Sequence, residues 1–399
     1  MTSLLPGRVH IVAMSAQGAG LSGGDRIFIE LARRWSSHGQ LVSVMVTDEG
    51  KAMCLRNGLD AAIVTEWPLR HRHQRRFAQY LALTFHTLRR VVPSGTFPPG
   101  SIVYSASDFW PDVLAGVVAK VRHRATWIAA FYMFAPPPLR GFEGQWRKGL
   151  PRPADVFYWL SQRLTLPLIA RFADVVFVTG EHDKERLCSR GVAPSRVIVV
   201  RGGVDVEQAD AAVPGPGPGY DGVFIGRLHV QKGVAQLIEI WSKVQRRRPG
   251  ARLAIIGDGP ESDRLRELRD RYGLTECIDF FGFLDGEAKY AIVKRSMVVV
   301  HPSLYDSGGM AACEAFACWL PGVCFDLPEL RTYYPQGMKK VPAYDLDAFA
   351  NAIVSLIEDL PERERLSVQA RRLAQQWDWE RRALDLAQEV TDSLAAAER

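Results

Sequence analysis

Short apolar segments alternate with longer amphipathic segments along most of the chain. Apolar runs bounded by polar turns predict buried strands, because a strand that is covered on both faces carries few polar side chains. The first half of the chain has such runs at 9–14, 41–46, 101–104, 126–130, 175–178 and 197–200. The amphipathic segments between them, of which the first is predicted at 25–38 after a glycine-rich turn, predict helices that cover a parallel sheet.

The composition changes after this first series. Residues 213–219 are a valine followed by alternating prolines and glycines, which form neither helix nor sheet and therefore predict a linker between domains. A second series of apolar strands follows at 222–225, 253–256, 278–281, 298–300 and 322–325. Helices are predicted between these strands at about 233–247, 260–272, 286–295 and 310–318.

The pattern predicts an α/β protein with two doubly wound, Rossmann-like domains that face each other across a cleft. The length of 399 residues supports this division, because single cores stop growing at about 250–300 residues. The predicted parts are an N-terminal domain at 1–205, a linker at 206–219, a C-terminal domain at 220–375 and a C-terminal helix at 376–399 that can cross back to the N-terminal domain.

Composition narrows the class of protein. The chain is 47% hydrophobic and 24% charged, as in ordinary globular proteins. It shows neither a leader-like start nor an apolar run of membrane-spanning length. The six cysteines lack the spacing of a zinc site, so we expect reduced thiols in a cytoplasmic protein that binds no metal.

The net charge of +6 is shared unevenly between the two halves. Residues 1–205 carry a net charge of +11, whereas residues 206–399 carry −5. Such a basic half suggests contact with something anionic, such as a membrane surface or a phosphorylated substrate. A solvated basic face is the alternative.

The first candidate site is loop 226–233, which follows a predicted strand and leads into a helix. Arg227 and Lys232 place two cations on this loop, after Gly226 and beside the free N–H groups of a helix start. A diphosphate needs both features, because the cations neutralise its charge and the N–H groups hold its oxygens. A basic surface loop without a ligand is the alternative.

The second candidate site lies at 301–318, again directly after a predicted strand. Gly308 and Gly309 allow a ligand to approach the backbone closely. A helix is predicted to begin at about Met310, so the N–H groups of Gly309, Met310 and Ala311 would point at phosphate or sugar oxygens.

Two carboxylates flank these glycines. Asp306 precedes them and can reach sugar hydroxyls. Glu314 lies one turn inside the predicted helix, where it can accept hydrogen bonds from a ribose diol. For this segment taken alone, an ordinary helix start with an acidic cap is the alternative.

Taken together and in this order, the two sites resemble those of the family-4 glycosyltransferases. That family carries a G-R-x-x-x-x-K-G loop and, further on, two acidic residues eight positions apart, the second followed by Ala-x-Ala. Residues 226–233 are similar to the first pattern, and Asp306 and Glu314 are similar to the second. The resemblance covers nearly the whole chain and is strongest at 220–330. It implies the GT-B fold and transfer of a sugar from a nucleotide diphosphate donor, UDP- or GDP-linked, with retention at the anomeric carbon.

The resemblance implies how the donor phosphates are held. Arg227 and Lys232 would bind the diphosphate and stabilise it as the leaving group, which is the work of a metal ion in other transferases. Gly23 and Gly24 look like the glycine loop of the family, which would close over the phosphates. The nucleotide sugar would thus be a co-substrate, and no cofactor or metal is expected.

The acidic pair would hold the rest of the donor. The resemblance implies that Asp306 binds the donor sugar and Glu314 the ribose. The first acidic residue of the family is usually glutamate. Because aspartate is one methylene shorter, the carboxylate here is displaced by about 1 Å or more, on the order of a C–C bond length.

The acceptor side departs from the family in another way. Family members often have a histidine after the fourth or fifth strand, but 130–138 contains none, and Met133 cannot accept a proton. Tyr132, Asp108 or another group then replaces the histidine, or the reaction needs no base because the departing phosphate takes the acceptor proton.

Other polar residues have less specific interpretations. His229 lies between the two cations of the first loop and could contact the donor, whereas His301 ends a strand and is expected to pack. Asp345 and Asp347 resemble the D-x-D metal site of other transferases. They lie near a helix start, so we interpret them as a cap.

Basic and aromatic residues cluster in 70–76 and 136–153, which suits a lipid headgroup interface or a lipid-phosphate acceptor. We therefore predict a glycan or lipid-linked acceptor and peripheral contact with an anionic membrane surface, at its inner face. A solvated helix face and a mobile lid are the alternatives. No nucleic-acid recognition motif is present, so nucleic acid is not an expected partner.

Two other classes of protein compete with a transferase. A non-catalytic nucleotide-sugar or glycan-binding relative is suggested by the shorter Asp306 and by the missing histidine. A dinucleotide oxidoreductase is disfavoured, because no G-x-G-x-x-G opens the first helix and no acidic residue follows the second strand as expected.

Overall fold

The computed structural model describes residues 4–16, 21–60, 62–65, 76–140, 150–306 and 310–397. The chain divides into two compact units. The first comprises Met1–Pro138, Pro151–Gly202 and Trp379–Arg399, and the second comprises Leu139–Leu150 and Gly203–Asp378.

The first unit is built around a parallel sheet. Its strands are β1 (Val9–Val12), β2 (Val42–Met45), β3 (Ala62–Thr65), β4 (Ile102–Ser105), β5 (Thr126–Ala130), β6 (Val175–Val178) and β7 (Val197–Val199). Its helices up to residue 202 are α1 (Gly23–Ser37), α2 (Asp48–Arg56), α3 (Arg76–Val91), α4 (Trp110–His123), α5 (Pro153–Phe172) and α6 (Glu181–Cys188). The strand order β3-β2-β1-β4-β5-β6-β7, with every pair parallel, confirms the predicted doubly wound sheet.

Helix α4 packs very closely on this sheet at one glycine. A Cβ atom at Gly116 would lie 2.0 Å from Nε1 of Trp127 on β5, so only glycine fits there. That Nε1 donates a hydrogen bond to Oγ of Ser105 at the end of β4, at 2.9 Å. The contact fixes α4, which carries Asp112 in its first turn and directly follows the segment with Asp108, against the sheet.

The second unit repeats this plan. Its strands are β8 (Tyr220–Ile225), β9 (Leu253–Ile256), β10 (Ile278–Gly282), β11 (Ser296–His301), β12 (Gly322–Phe325) and β13 (Met338–Val341). Its helices are α7 (Val206–Ala211), α8 (Val234–Arg247), α9 (Ser262–Arg271), α10 (Gly286–Val293), α11 (Met310–Ala317), α12 (Pro328–Tyr333), α13 (Leu346–Glu358) and α14 (Leu360–Gln376). The strands lie in the order β10-β9-β8-β11-β12-β13, all parallel, around one apolar core.

The segment assigned to a linker, 206–219, begins with helix α7 rather than with irregular chain. The helix forms because the carboxylate of Asp205 caps it by accepting from the N–H of Gln208 at 2.9 Å. The proline-glycine stretch that follows is held on the second unit, since Lys294 donates to the carbonyl of Ala212 at 2.6 Å and Arg295 to that of Pro218 at 3.3 Å.

The chain ends in helix α15 (Trp379–Ala397), which lies in the first unit. Nε1 of Trp35 on α1 donates to the carbonyl of Ala383 at 2.9 Å, and Oγ of Ser393 donates to the carbonyl of Ser195 at 2.8 Å. Within the described ranges, none of the helices combines the length and the apolar character needed to cross a bilayer.

Candidate functional site

Two loops of the second unit meet at the carboxyl ends of neighbouring strands. Strands β8 and β11 are hydrogen-bonded in parallel orientation, so the segments that follow them emerge side by side. Loop 226–233 follows β8, and the segment that ends at Asp306 follows β11. The N–H of Leu304 donates to the carbonyl of Gln231 at 2.9 Å, which joins the two segments directly.

Glycines allow these loops to approach so closely. Gly233 has a φ of +63°, and a Cβ there would lie 1.9 Å from the carbonyl oxygen of Pro302. A Cβ at Gly257, after β9, would lie equally close to the carbonyl oxygen of Gly226, at 1.9 Å. The loop with Arg227 and Lys232 therefore contacts neighbouring backbone at both of its ends, and only glycine fits at these two contacts.

Lys232 and Asp306, predicted from separate motifs, form an ion pair. Nζ of Lys232 lies 2.8 Å from Oδ2 of Asp306, whose residue is only 4% exposed. The same carboxylate oxygen lies 3.2 Å from Nε2 of the buried His301, and Oγ of Ser303 lies 3.1 Å from that nitrogen. His301, which was expected only to pack, is thus part of the polar network.

Charge compensation sets the ionisation of this network. Burial opposes ionisation of Asp306, but the ammonium of Lys232 and the contact with His301 outweigh it, so the pKa of Asp306 lies well below its usual value. Burial lowers the pKa of His301 in spite of the carboxylate beside it. At neutral pH the network therefore contains one ammonium, one carboxylate and a neutral imidazole.

Arg227 differs from Lys232 although both belong to one loop. Its side chain is exposed, and it makes no ion pair or side-chain hydrogen bond within the described ranges. Its carbonyl accepts from the N–H of His229 at 2.8 Å, so the backbone turns sharply here. Because the guanidinium of Arg227 is exposed and has no ion-pair partner among the described residues, it can bind an anionic ligand without first breaking an internal pair.

Glu314 lies in α11 and pairs with a lysine that sequence reasoning missed. Nζ of Lys289 on α10 lies 2.7 Å from Oε1 of Glu314 and 2.7 Å from Oδ1 of Asp285. Lys289 is buried, whereas Glu314 is partly exposed. The lysine thus holds the carboxylate in place. The pairing was not predicted, because the two residues lie 25 positions apart along the chain.

The helix start predicted in the second motif is present. Helix α11 begins at Met310, so the N–H groups of Met310 and Ala311 belong to its first turn, where a helix offers free donors. Gly308 and Gly309, predicted to contact the donor, lie outside the described residues.

The histidine and the D-x-D motif have local roles. Nδ1 of His229 accepts from the N–H of Gln231 at 3.3 Å, as a cap of the short turn in the loop. Asp345 caps α13 by accepting from the N–H of Ala348 at 2.9 Å, as interpreted from the sequence. Asp347 pairs with Lys243 at 2.7 Å.

In the first unit, Gly23 and Gly24 are the first residues of α1 rather than part of a loop before it. Ser22 and Asp25 close the helix start in a capping box. A Cβ at Gly24 would lie 3.0 Å from Cδ2 of Tyr132, which follows β5. This glycine therefore lets the start of α1 contact the predicted acceptor-side tyrosine.

The other two acceptor-side residues are joined by Gln162 of α5. Its Nε2 donates to Oδ2 of Asp108 at 2.9 Å and to the carbonyl of Met133 at 2.8 Å. Its Oε1 accepts from the N–H of Ala135 at 2.7 Å. Burial raises the pKa of Asp108 to about 6, although the hydrogen bond from Gln162 acts in the opposite direction. Tyr132 instead has its hydroxyl bonded to Tyr104.

A second buried carboxylate, Asp112, holds the segment that follows β1. Its Oδ1 accepts from the N–H of Met14 at 2.8 Å, and its other oxygen accepts from Oγ of Ser107. Burial raises the pKa of Asp112 to about 7 in spite of these hydrogen bonds. This role was not predicted from the sequence, because Asp112 and Met14 lie 98 residues apart.

Much of the basic sequence that predicted membrane contact lies outside the described residues. This applies to 70–75 and to the aromatic and basic positions between 141 and 149. Of the basic residues in 136–153, Arg140 and Arg152 are described, and both are exposed.

Comparison with solved structures identifies the fold of the chain, and a family comparison matches its second unit. A crystal structure of the Anabaena protein HepE in complex with UDP and glucose superposes with a TM-score of 0.73 at 16% identity, covering 96% of this chain and 99% of that one. Together with the two parallel sheets, this likeness defines a protein of the GT-B fold. Residues 210–373, in the second unit, match the family described as glycosyl transferases group 1.

Two curated relatives extend this comparison. The glycogen synthase of Mycobacterium tuberculosis is 30% identical over 202 residues, which is 50% of this chain and 49% of that protein. The match thus spans about half the length of that relative. The D-inositol 3-phosphate glycosyltransferase of Kribbella flavida is 24% identical over 97% of this chain and 96% of its own length.

Proposed function

We propose that this protein transfers a sugar from a nucleotide diphosphate donor, UDP- or GDP-linked, to a glycan, lipid-linked or small-molecule acceptor, with retention at the anomeric carbon. The observation that carries the proposal is the pair of cations on loop 226–233, at the carboxyl ends of β8 and β11. The names of the relatives, which include a glycogen synthase and an inositol phosphate glycosyltransferase, support the same reaction type.

The donor would bind to the second unit. Lys232 donates to Asp306, but an ammonium has three donors and can also reach a phosphate oxygen. Arg227 would supply a second, exposed cation, and the first N–H groups of α11 would supply further donors. Glu314, held by Lys289, would accept from the ribose hydroxyls.

The reaction would exchange one bond at the anomeric carbon for another. The bond from that carbon to the phosphate oxygen breaks, and a bond to the acceptor oxygen forms on the same face. The departing phosphate takes the proton of the acceptor hydroxyl. Because negative charge accumulates on the phosphate, cations placed beforehand around it would provide the main stabilisation of the transition state.

The acceptor would bind to the first unit. Asp108, whose pKa is raised to about 6 by burial, retains a carboxyl that can accept from, or donate to, an acceptor hydroxyl. Gln162 would act as a positioning residue, because it fixes both Asp108 and the backbone at Met133. The ring of Tyr132, which packs against Gly24, would form part of the acceptor site.

Release of free nucleotide from a panel of UDP- and GDP-sugars tests this proposal. We expect turnover of at least one donor with wild type and loss of about a hundredfold or more with Arg227→Ala. Arg264→Ala is a matched control, because Arg264 is exposed on α9 of the same unit but pairs with Glu261. We also expect turnover to survive a chelator, since no step uses a metal.

Three results would contradict the proposal. Equal losses of turnover in the Arg227 and Arg264 variants would show that the loop does not bind the donor. Inactivation by a chelator would show that the reaction requires a metal ion. Nucleotide binding without turnover of any donor would instead identify a nucleotide-sugar-binding relative that lacks catalysis.

A further inference from the structure

Helix α3 exposes a row of large apolar side chains. Phe77, Leu81 and Phe85 follow one another at intervals of four residues and are all exposed, Phe85 to 63%. Residues at this spacing lie on one face of a helix. Single exposed apolar residues are common, but a continuous row marks an interaction surface.

A second row on α5 meets the first. Leu160 and Leu164 are exposed, and both lie on the helix face of Phe157, at spacings of three and seven residues. The ring of Phe157 contacts that of Phe77 on α3, with centroids 5.5 Å apart and the planes nearly perpendicular. The two rows therefore join into one apolar surface, which we call the α3–α5 face.

The charges on these two helices are predominantly positive. Helix α3 contains no acidic residue, and the only one in α5 is Asp155, in its first turn. The same two helices carry exposed arginines, which are Arg89, Arg90, Arg163 and Arg171. Arg89 lies over the ring of Phe85, at 5.8 Å from the centroid.

Aromatic rings accompany these cations on α5 as well. The guanidinium of Arg163 lies over the ring of Trp159, at 4.0 Å from the centroid. Arginines beside an apolar surface can extend their charge to anionic groups while their stems and the neighbouring rings enter an apolar layer. This combination is typical of helices that lie in the interface of a bilayer.

We propose that the α3–α5 face binds the surface of an anionic phospholipid bilayer. The exposed phenylalanines and leucines would enter the boundary between headgroups and acyl chains, and the arginines would contact lipid phosphates. Charge complementarity favours an anionic bilayer over an apolar protein partner. The two helices carry four exposed arginines and one acidic residue, and a purely apolar partner would leave these charges without a counterpart. The net charge of +11 on residues 1–205 adds long-range attraction to the same partner.

Partitioning of the full chain onto vesicles tests the proposal. We expect binding to vesicles of phosphatidylglycerol and phosphatidylcholine, and much weaker binding to phosphatidylcholine alone. Leu164→Ser should lower the partition coefficient about tenfold. Leu41→Ser is the matched control, because Leu41 is 62% exposed, against 60% for Leu164, and lies in the same unit but outside both helices.

The electrostatic part has its own pair of variants. Arg90→Gln should weaken binding to anionic vesicles about fivefold. Arg56→Gln, an exposed arginine at the end of α2, should leave binding unchanged. Added salt should weaken binding of wild type and narrow the difference between the two variants.

The proposal fails if wild type does not bind anionic vesicles or if Leu164→Ser and Leu41→Ser bind equally. It also fails if the wild-type chain self-associates through this face, with Leu164→Ser monomeric and vesicle binding absent. Nucleotide release by the same variants should stay at the wild-type rate, so vesicle binding and sugar transfer are tested separately.

Discussion

The carboxyl ends of the two parallel sheets hold buried carboxylates whose pKa values are shifted in opposite directions. In the second unit Asp306 lies beside Lys232, which outweighs the effect of burial and keeps the pKa low. In the first unit Asp108 and Asp112 are held by neutral donors, and burial raises their pKa values to about 6 and about 7. One topology thus provides a site in which the carboxylate is paired with a cation and a site in which the carboxyl groups are held by neutral donors and titrate near neutral pH.

The largest effect is expected from Lys232→Met, which removes the counter-ion of the carboxylate in the second unit. An unpaired buried Asp306 should lower the free energy of unfolding by about 3–5 kcal/mol. Donor turnover should fall about 100- to 1000-fold, since a cation at the leaving group is lost. Thermal unfolding and nucleotide release measure the two effects.

Lys243→Met is the matched control for this prediction. Lys243 has almost the same exposure as Lys232 and also pairs with an aspartate at 2.7 Å, but its partner, Asp347, is mostly exposed. Its loss should leave unfolding and turnover near the wild-type values. Equal destabilisation by the two variants would show that burial of Asp306 has no energetic importance.

A smaller effect is expected from Gln162→Leu in the first unit. The variant loses the hydrogen bonds to Asp108, Met133 and Ala135, so the acceptor site should be less well ordered. We expect the KM for acceptor to rise about tenfold, as for the loss of one or two hydrogen bonds, while hydrolysis of donor stays unchanged.

Gln40→Leu controls for the loss of a buried amide. Gln40 lies in the same unit, is also buried, and accepts from the N–H of Leu5 at 3.0 Å. It should lower stability to a similar extent without raising the acceptor KM. A rise in KM for both variants would mean that Gln162 acts through stability alone.

The smallest effect concerns pH. Asp112 has a raised pKa in the folded state, so its contribution to stability is complete below the unfolded value of 3.8 and is lost as the pH rises through about 7. Asp112→Asn should therefore gain stability relative to wild type between pH 4 and 7. Asp306 has a lowered pKa, so the advantage of wild type over Asp306→Asn should be present above 3.8 and disappear as the pH falls further.

Melting temperatures of the two variants across this range measure both trends. The opposite directions test the comparison itself, because each variant serves as the control for the other. Parallel trends in Asp112→Asn and Asp306→Asn would mean that the two carboxylates share one environment after all.

Features carried by contiguous residues could be predicted from the sequence. Apolar runs located most strands to within two residues, because their pattern is local, although β3 and β13 were not predicted. The loop with Arg227 and Lys232 was also found, since its glycines and cations lie together. Its closeness to Asp306 followed only from the neighbouring positions of β8 and β11 in the sheet.

Features made by distant residues could not be predicted. Gln162 meets Asp108 across 54 residues, and Lys289 meets Glu314 between two helices. Each is one polar residue in an amphipathic segment, where a solvated position is the default expectation. Only the packing of α5 and α10 against the sheets turns them into buried partners. The helix α7 was missed for a related reason, because the adjoining prolines and glycines dominated the interpretation of 206–219.

In the proposed function, the exposed guanidinium of Arg227 binds the diphosphate of the donor. Calorimetric titration of wild type and Arg227→Ala with UDP, GDP and the corresponding nucleosides tests it directly. We predict that the variant binds the preferred nucleoside diphosphate about ten- to a hundredfold more weakly and binds the nucleoside as well as wild type does. Unchanged affinity for the diphosphate, or an equal loss for diphosphate and nucleoside, would contradict the claim.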